Sequence, residues 1–163
     1  MQHPWKTNAN QRKLFVSYSG GKDSTLALYH AMQVGEVLGL LVMLEEQGCW
    51  HDTVTAKAGL KLSMPLWQRP HREVIDEFIE LGFSTIIVTV NLDLGMKVED
   101  LGKILTHTYI QELQLRGIDP CGEGGEFHTT VIDGPIFKHA IAVHKGAILH
   151  HENYAFLPLK LEK

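Results

Sequence analysis

Directly after the apolar run Leu14-Phe15-Val16-Ser17-Tyr18 the chain reads Ser19-Gly20-Gly21-Lys22-Asp23-Ser24. No other stretch constrains the backbone as tightly. A strand ends there, two glycines allow a tight turn, and a helix starts at Ser24-Thr25-Leu26-Ala27-Leu28. This order brings unpaired backbone N–H groups, a lysine ammonium and a helix N-terminus to one point, which suits a polyanion. A helix end contributes roughly 0.3–1 kcal/mol toward an anion. A charge-assisted hydrogen bond from Lys22 or a hydroxyl adds roughly 1.5–3 kcal/mol. The plain alternative is a glycine turn that binds nothing.

Two common phosphate-binding patterns do not fit. A Walker A loop needs Lys followed by Ser or Thr, whereas Asp23 follows Lys22, and no Gly-x-Gly-x-x-Gly follows the strand. Ser-Gly-Gly-Lys-Asp-Ser instead resembles the PP-loop of the ATP pyrophosphatases, which cleave ATP between the α and β phosphates. A second motif, Gly117-Ile118-Asp119-Pro120-Cys121-Gly122-Glu123-Gly124-Gly125-Glu126-Phe127-His128-Thr129-Thr130, runs into Val131-Ile132-Asp133-Gly134-Pro135-Ile136-Phe137. It resembles the C-terminal signature of the diphthine–ammonia ligase family, the N-type branch of those enzymes. Ser63-Met64-Pro65-Leu66-Trp67, with a helix ending Glu80-Leu81-Gly82-Phe83, is similar to the same family's hinge.

The resemblance implies ATP-dependent amide synthesis. ATP and Mg²⁺ adenylate a carboxylate, pyrophosphate leaves, and free ammonia displaces AMP. Archaeal and eukaryotic members act on diphthine in a translation elongation factor, while bacterial relatives exist where that residue does not, so the carboxylate acceptor is left open. Nothing in the chain resembles a glutaminase domain.

In one respect the chain departs from the family. Leu40-Leu41-Val42-Met43-Leu44 passes through Glu45-Glu46-Gln47-Gly48 into Cys49-Trp50-His51 and quickly reaches Ala58-Gly59-Leu60. A βαβ unit takes roughly 30 residues, more than this interval holds. Either a deletion or an omitted segment near Gly48-Cys49 accounts for it. Omission is favoured, because a three-strand half leaves sheet edges and apolar faces uncovered.

The 163 residues, 44% apolar, are enough for a sizeable core. A net charge of −4 excludes a general nucleic-acid footprint. No apolar run has membrane length, the N-terminus does not read as a signal, and Cys49 and Cys121 make no disulfide framework, so a cytoplasmic protein is expected. Self-association stays open. Residues 1–13 read as a solvated arm. Strands are expected at Leu14–Ser19, Val37–Leu44, Leu62–Trp67 and Thr85–Val90. Helices are expected at Ser24–Val34, Arg72–Leu81 and within Val98–Arg116, and a hairpin over Phe137–Leu161 turning at Lys145-Gly146. The expected fold is α/β: a doubly wound parallel sheet of the HUP, adenine nucleotide alpha hydrolase-like kind, shortened, with a smaller α+β domain. The domains are 1–67, binding nucleotide through the PP-loop, and 68–163, binding substrate.

Lys22 is assigned to the β and γ phosphates or the departing pyrophosphate. Gly20 and Gly21 let the backbone approach. Ser19, Ser24 and Thr25 offer hydroxyls, with Ser24 equally suited to capping the helix, and Asp23 is assigned to Mg²⁺ or to orienting a neighbour. In the second motif Glu123 and Glu126 are candidates to hold ammonium, act as base toward it, or bind the acceptor; a solvated acidic loop is the alternative. Gly122, Gly124 and Gly125 shape that acceptor-binding loop, and His128 and Thr129 line it. Cys121 reads as buried filler. His139, His144, His150 and His151 do not assemble a zinc pattern, and Trp67 is a better adenine stacker than Trp5. Two rivals stand beside the ligase: an ATP-binding regulator without turnover, and a PP-loop enzyme that modifies tRNA.

Overall fold

A computed structural model of the chain describes residues 13–41, 57, 59, 64–66 and 68–162. Trp5, Cys49, Ser63, Trp67 and the interval around Gly48-Cys49 lie outside the described residues, as do half of the strand expected at Leu62–Trp67 and the end of that expected at Val37–Leu44. Residues 64–66 form a turn rather than a strand, because Pro65 supplies no N–H for a ladder.

The chain opens β1 (Lys13–Ser17), α1 (Lys22–Val34), β2 (Glu36–Leu41), with β1 and β2 paired in parallel. Along β1 burial alternates, so Leu14 and Val16 are half-buried and Phe15 is exposed. The apolar run behaves as a one-sided strand. Helix α1 crosses between the strands and buries Thr25, Leu26 and Leu28. The fold is therefore mixed α/β, and its parallel sheet has two strands among the described residues.

After the turn at 64–66 come α2 (His71–Glu80), β3 (Ser84–Asn91), two short 3-10 turns at Leu92–Leu94 and Val98–Asp100, and α3 (His107–Leu115). Next are β4 (Phe127–Asp133), β5 (Val143–Lys145), β6 (Leu149–His151), β7 (Tyr154–Phe156) and β8 (Leu159–Leu161). An antiparallel sheet in the order β4-β3-β7-β6 carries this part, and β5 pairs with β8 beside it.

Three elements differ from the sequence expectation. The helix expected within Val98–Arg116 begins only at His107, where Thr106 accepts the Tyr109 N–H as its cap. Before that, residues 102–105 run extended along β3: Gly102 and Leu105 donate to Ile87 and Thr85 carbonyls, and Ile87 donates back to Lys103. Open β3 hydrogen bonds outcompete a helix here. The hairpin turns at Glu152-Asn153, joining β6 to β7, while Gly146 sits against Pro158 where β5 meets β8. Strand β4 was not expected, although Phe127 and Val131 fall at the alternate spacing of a strand and both are buried.

One apolar cluster runs through the molecule. Leu26 of α1 joins Val74, Ile75 and Phe78 of α2, Ile87 and Val90 of β3, Ile110 and Leu113 of α3, and Phe127 and Val131 of β4. The Phe78 and Phe83 rings stack at 5.0 Å, with Tyr29 edge-on to Phe83 at 5.8 Å. Polar contacts repeat the link between α1 and α2. Glu77 meets His30 at 3.0 Å and Arg69 at 2.5 Å. The start of α1 is thus held against the second half of the chain.

Candidate active site

Gly20 turns the chain into α1 with φ +85, and a Cβ built there would enter open space. The backbone conformation favours glycine, and no neighbouring atom crowds the turn there. Gly21 precedes the first helical residue, in an extended conformation, and no side chain caps α1. Ser24, expected as an equal candidate for the cap, instead donates its hydroxyl to the Gly21 carbonyl at 3.1 Å and accepts from Ser19 at 3.1 Å. Thr25 is fully buried and donates to the same carbonyl at 2.8 Å, with the Tyr18 hydroxyl 3.3 Å away. Side chains therefore tie down the carbonyl of the turn and leave the first helical N–H groups without side-chain acceptors. That arrangement favours an anion.

Lys22 is buried, 5% exposed, between two carboxylates. Its Nζ lies 2.5 Å from Asp23 Oδ2 and 3.6 Å from Glu123 Oε1. Burial alone would lower its pKa, but Asp23, then Cys121 and Glu123, outweigh that, and the net direction is upward. The lysine stays charged. Asp23, assigned to Mg²⁺ from sequence, spends one oxygen on Lys22. No group of three His, Cys, Asp or Glu able to hold a metal surrounds it among the described residues. A single carboxylate of this kind fits Mg²⁺ that keeps its waters and takes its other ligands from phosphate oxygens.

The second motif meets the first. The Gly20 carbonyl accepts the Val131 N–H of β4 at 3.1 Å, and the Thr129 carbonyl lies 3.6 Å from where a Gly21 Cβ would stand. Gly122, at φ +70, packs so closely that a Cβ would lie 2.9 Å from the Phe127 carbonyl oxygen. That tight loop carries Glu123 to Lys22. Burial, then repulsion from Asp23, pushes the Glu123 carboxyl up, against the pull of Lys22 and His71. Glu126 folds against Gly124, and its Oε2 is shut from solvent without a hydrogen-bond partner among the described residues. Such an acceptor suits a cation or an N–H donor. Gly125 continues the loop with its N–H on the Gly122 carbonyl at 3.1 Å. His128 is exposed on β4, next to Thr129.

Sequence reasoning left Asp119 and His71 without roles. Asp119 accepts the N–H of Cys121 at 3.2 Å and that of Glu123 at 3.0 Å, so it shapes the loop that presents Glu123. It also accepts from Nδ1 of His71 at 2.8 Å. Burial works against its charge, but these bonds prevail and hold the carboxyl below its usual range. An Asp before Pro in a turn is a readable signal for side-chain-to-backbone bonding. His71 carries no such signal, since it follows Pro70 at a helix start and meets Asp119 only in the fold. Cys121 is buried, with its thiol donating to the His71 carbonyl at 3.2 Å and pushed up to about 12 chiefly by burial. It is a packed thiol and not a nucleophile.

Comparison with known proteins gives a consistent set of matches. The diphthamide synthase N-terminal domain matches residues 12–61, and the diphthamide synthase C-terminal domain matches residues 70–163. A diphthine–ammonia ligase of Schizosaccharomyces pombe is 31% identical over 114 residues, covering 68% of this chain and 19% of that protein. Those of Bos taurus and Homo sapiens are 34% and 33% identical over 112 residues, each covering 66% of this chain and 42% of the relative. The chain thus spans less than half the length of these relatives.

Proposed function

Because the chain belongs to the diphthine–ammonia ligase family, we propose that it is an ATP-dependent, AMP-forming ligase that makes an amide from a carboxylate and ammonia. The observation that carries this is the meeting of two distant motifs: Lys22 at the head of α1 and Glu123 in the glycine-rich loop, 3.6 Å apart. Mg-ATP, when bound, supplies the activation, since cleavage between its α and β phosphates turns a poor electrophile into one with a good leaving group.

The chain's own groups position and neutralise. The N–H groups at the start of α1 and the Lys22 ammonium take the phosphates, with the Ser19 and Ser24 hydroxyls beside them. Asp23 takes a Mg²⁺ that enters with the nucleotide. Two carboxylates flanking one lysine repel a bare polyanion, and a divalent cation relieves that repulsion. The loop from Gly122 to Glu126, with His128 and Thr129, receives the acceptor and ammonium. Glu126 Oε2 is the acceptor-only atom suited to the ammonium N–H.

We further infer that β1-α1-β2 is the opening of a doubly wound sheet, that the nucleotide domain ends near residue 67, and that residues 68–163 bind the acceptor. A cytoplasmic elongation factor carrying diphthine is the partner this reading favours. The test is to incubate the protein with Mg-ATP, ammonium and cell extract, and to resolve AMP from ADP. AMP and pyrophosphate, abolished by Lys22→Ala, support the ligase. ADP overturns it, and bound ATP without turnover favours a regulator.

A further inference from the structure

We propose that His71 is the general base that removes a proton from the nitrogen nucleophile, and that Asp119 is the positioning residue that sets its tautomer. The inference rests on the amide-forming reading above. Asp119 presents only acceptor oxygens when ionised, and both lie within 2.9 Å of His71 Nδ1. The proton of a neutral His71 must then sit on Nδ1, leaving the lone pair on Nε2. The same carboxylate holds the Glu123 N–H at 3.0 Å, so imidazole and Glu123 share one anchor, and Glu123 in turn reaches Lys22 at 3.6 Å. The His71 side chain is 52% exposed, so it is open to an incoming ligand.

The groups facing His71 are Asp119, Glu123 and Cys121 from the loop, with Lys22 and Asp23 behind them at the head of α1. Its neighbour Arg72 is turned away, toward Asp76 and Gln114. In the step itself the ammonia nitrogen bonds to the carbonyl carbon of the activated acceptor. The proton shed by nitrogen passes to His71 Nε2, the bond from carbon to the AMP oxygen breaks, and AMP leaves with that electron pair. Glu123 and Glu126 are left to hold the substrate. This separates binding from proton transfer.

The experiment compares the full chain with His71→Gln and Asp119→Asn, using Mg-ATP, ammonium chloride and an elongation factor bearing diphthine. Exchange of pyrophosphate into ATP reads activation, which precedes ammonia attack. Amide formation is followed against pH at constant free ammonia. His71→Gln is expected to keep exchange within about twofold, to lower amide formation about 100-fold, and to lose the rising limb of the pH profile. Asp119→Asn is expected to weaken that limb, and ¹⁵N NMR of the free protein to show His71 leaving the Nδ1–H tautomer. Unchanged amide formation and an unchanged limb in His71→Gln overturn the inference while leaving the ligase standing. Absence of exchange in the unsubstituted protein overturns the ligase reading, and this inference with it.

Discussion

The ammonium of Lys22 and the carboxylate of Glu123, from distant parts of the chain, stand 3.6 Å apart with the lysine side chain 7% and the glutamate side chain 53% exposed. The buried lysine, held between Asp23 and Glu123, is the group placed for a phosphate. Lys22→Ala is therefore expected to weaken ATP binding about 10- to 100-fold, the equivalent of one charge-assisted hydrogen bond. Asp23 and Glu123 would also face the phosphates unneutralised. Isothermal titration with Mg-ATP checks this, and near-normal affinity would remove Lys22 from the phosphate site.

Gly20 separates binding from stability. With φ +85 and open space where a Cβ would stand, Gly20→Ala meets no neighbour but strains the backbone. A cost of about 1–2 kcal/mol in unfolding free energy is expected. The strained turn also shifts the N–H groups at the start of α1, so ATP affinity should fall about tenfold. Denaturant unfolding and nucleotide titration on the same sample decide whether the two effects part.

Asp100 is expected to be the most costly carboxylate to remove among the described residues. It is 1% exposed, meets Arg116 at 2.7 and 3.2 Å and Lys103 at 3.1 Å, and accepts the Lys97 N–H at 2.8 Å. Asp100→Ala removes the nearest carboxylate from Arg116 and Lys103, which keep Glu112 at 3.7 Å and, for Arg116, the Gly95 carbonyl, and it removes the acceptor of the Lys97 N–H. A loss of about 3 kcal/mol follows from breaking a buried pair. A change below about 1 kcal/mol in chemical denaturation would contradict that role.

Acid should destabilise the protein through the same groups. Burial opposes charge at Asp100 and Asp119, yet their hydrogen bonds win, and Asp76 is held down by Arg72, so all three titrate lower folded than unfolded. Stability from a depressed carboxyl is present above its unfolded pKa, about 3.9, and is lost as pH falls through the folded value. Unfolding free energy is thus expected to drop below about pH 4. The slope should flatten in Asp100→Asn, measured by urea unfolding across pH 2.5–6.

The opening strand-turn-helix, α2 and β3 were legible because each rests on local pattern. Ser19 to Ser24 follows an apolar strand, and Val74, Ile75 and Phe78 recur at helical spacing. Within Val98–Arg116 the helix occupies only His107–Leu115, because residues 102–105 hydrogen-bond to β3, a partner that no helical periodicity reveals. Strand β4 hid inside a string read for its chemistry. Its alternation of Phe127, Thr129 and Val131 was visible, but the flanking glycines suggested loop.

By itself, the sequence determined a phosphate-suited turn at Lys22 and a glycine-rich acidic loop at Glu123 and Glu126, since residue type and spacing suffice for each. Only the tertiary structure decided that they face one another, that Asp119 holds His71 and Glu123 together, and that Thr25 turns inward to the Gly21 carbonyl. The meeting of the two segments depends on β4 pairing with β3 and on Val131 donating to Gly20, whereas the Thr25 bond to Gly21 is local to the helix start. Contacts across such separations come from the packing of a shared core, and short-range pattern carries no record of them.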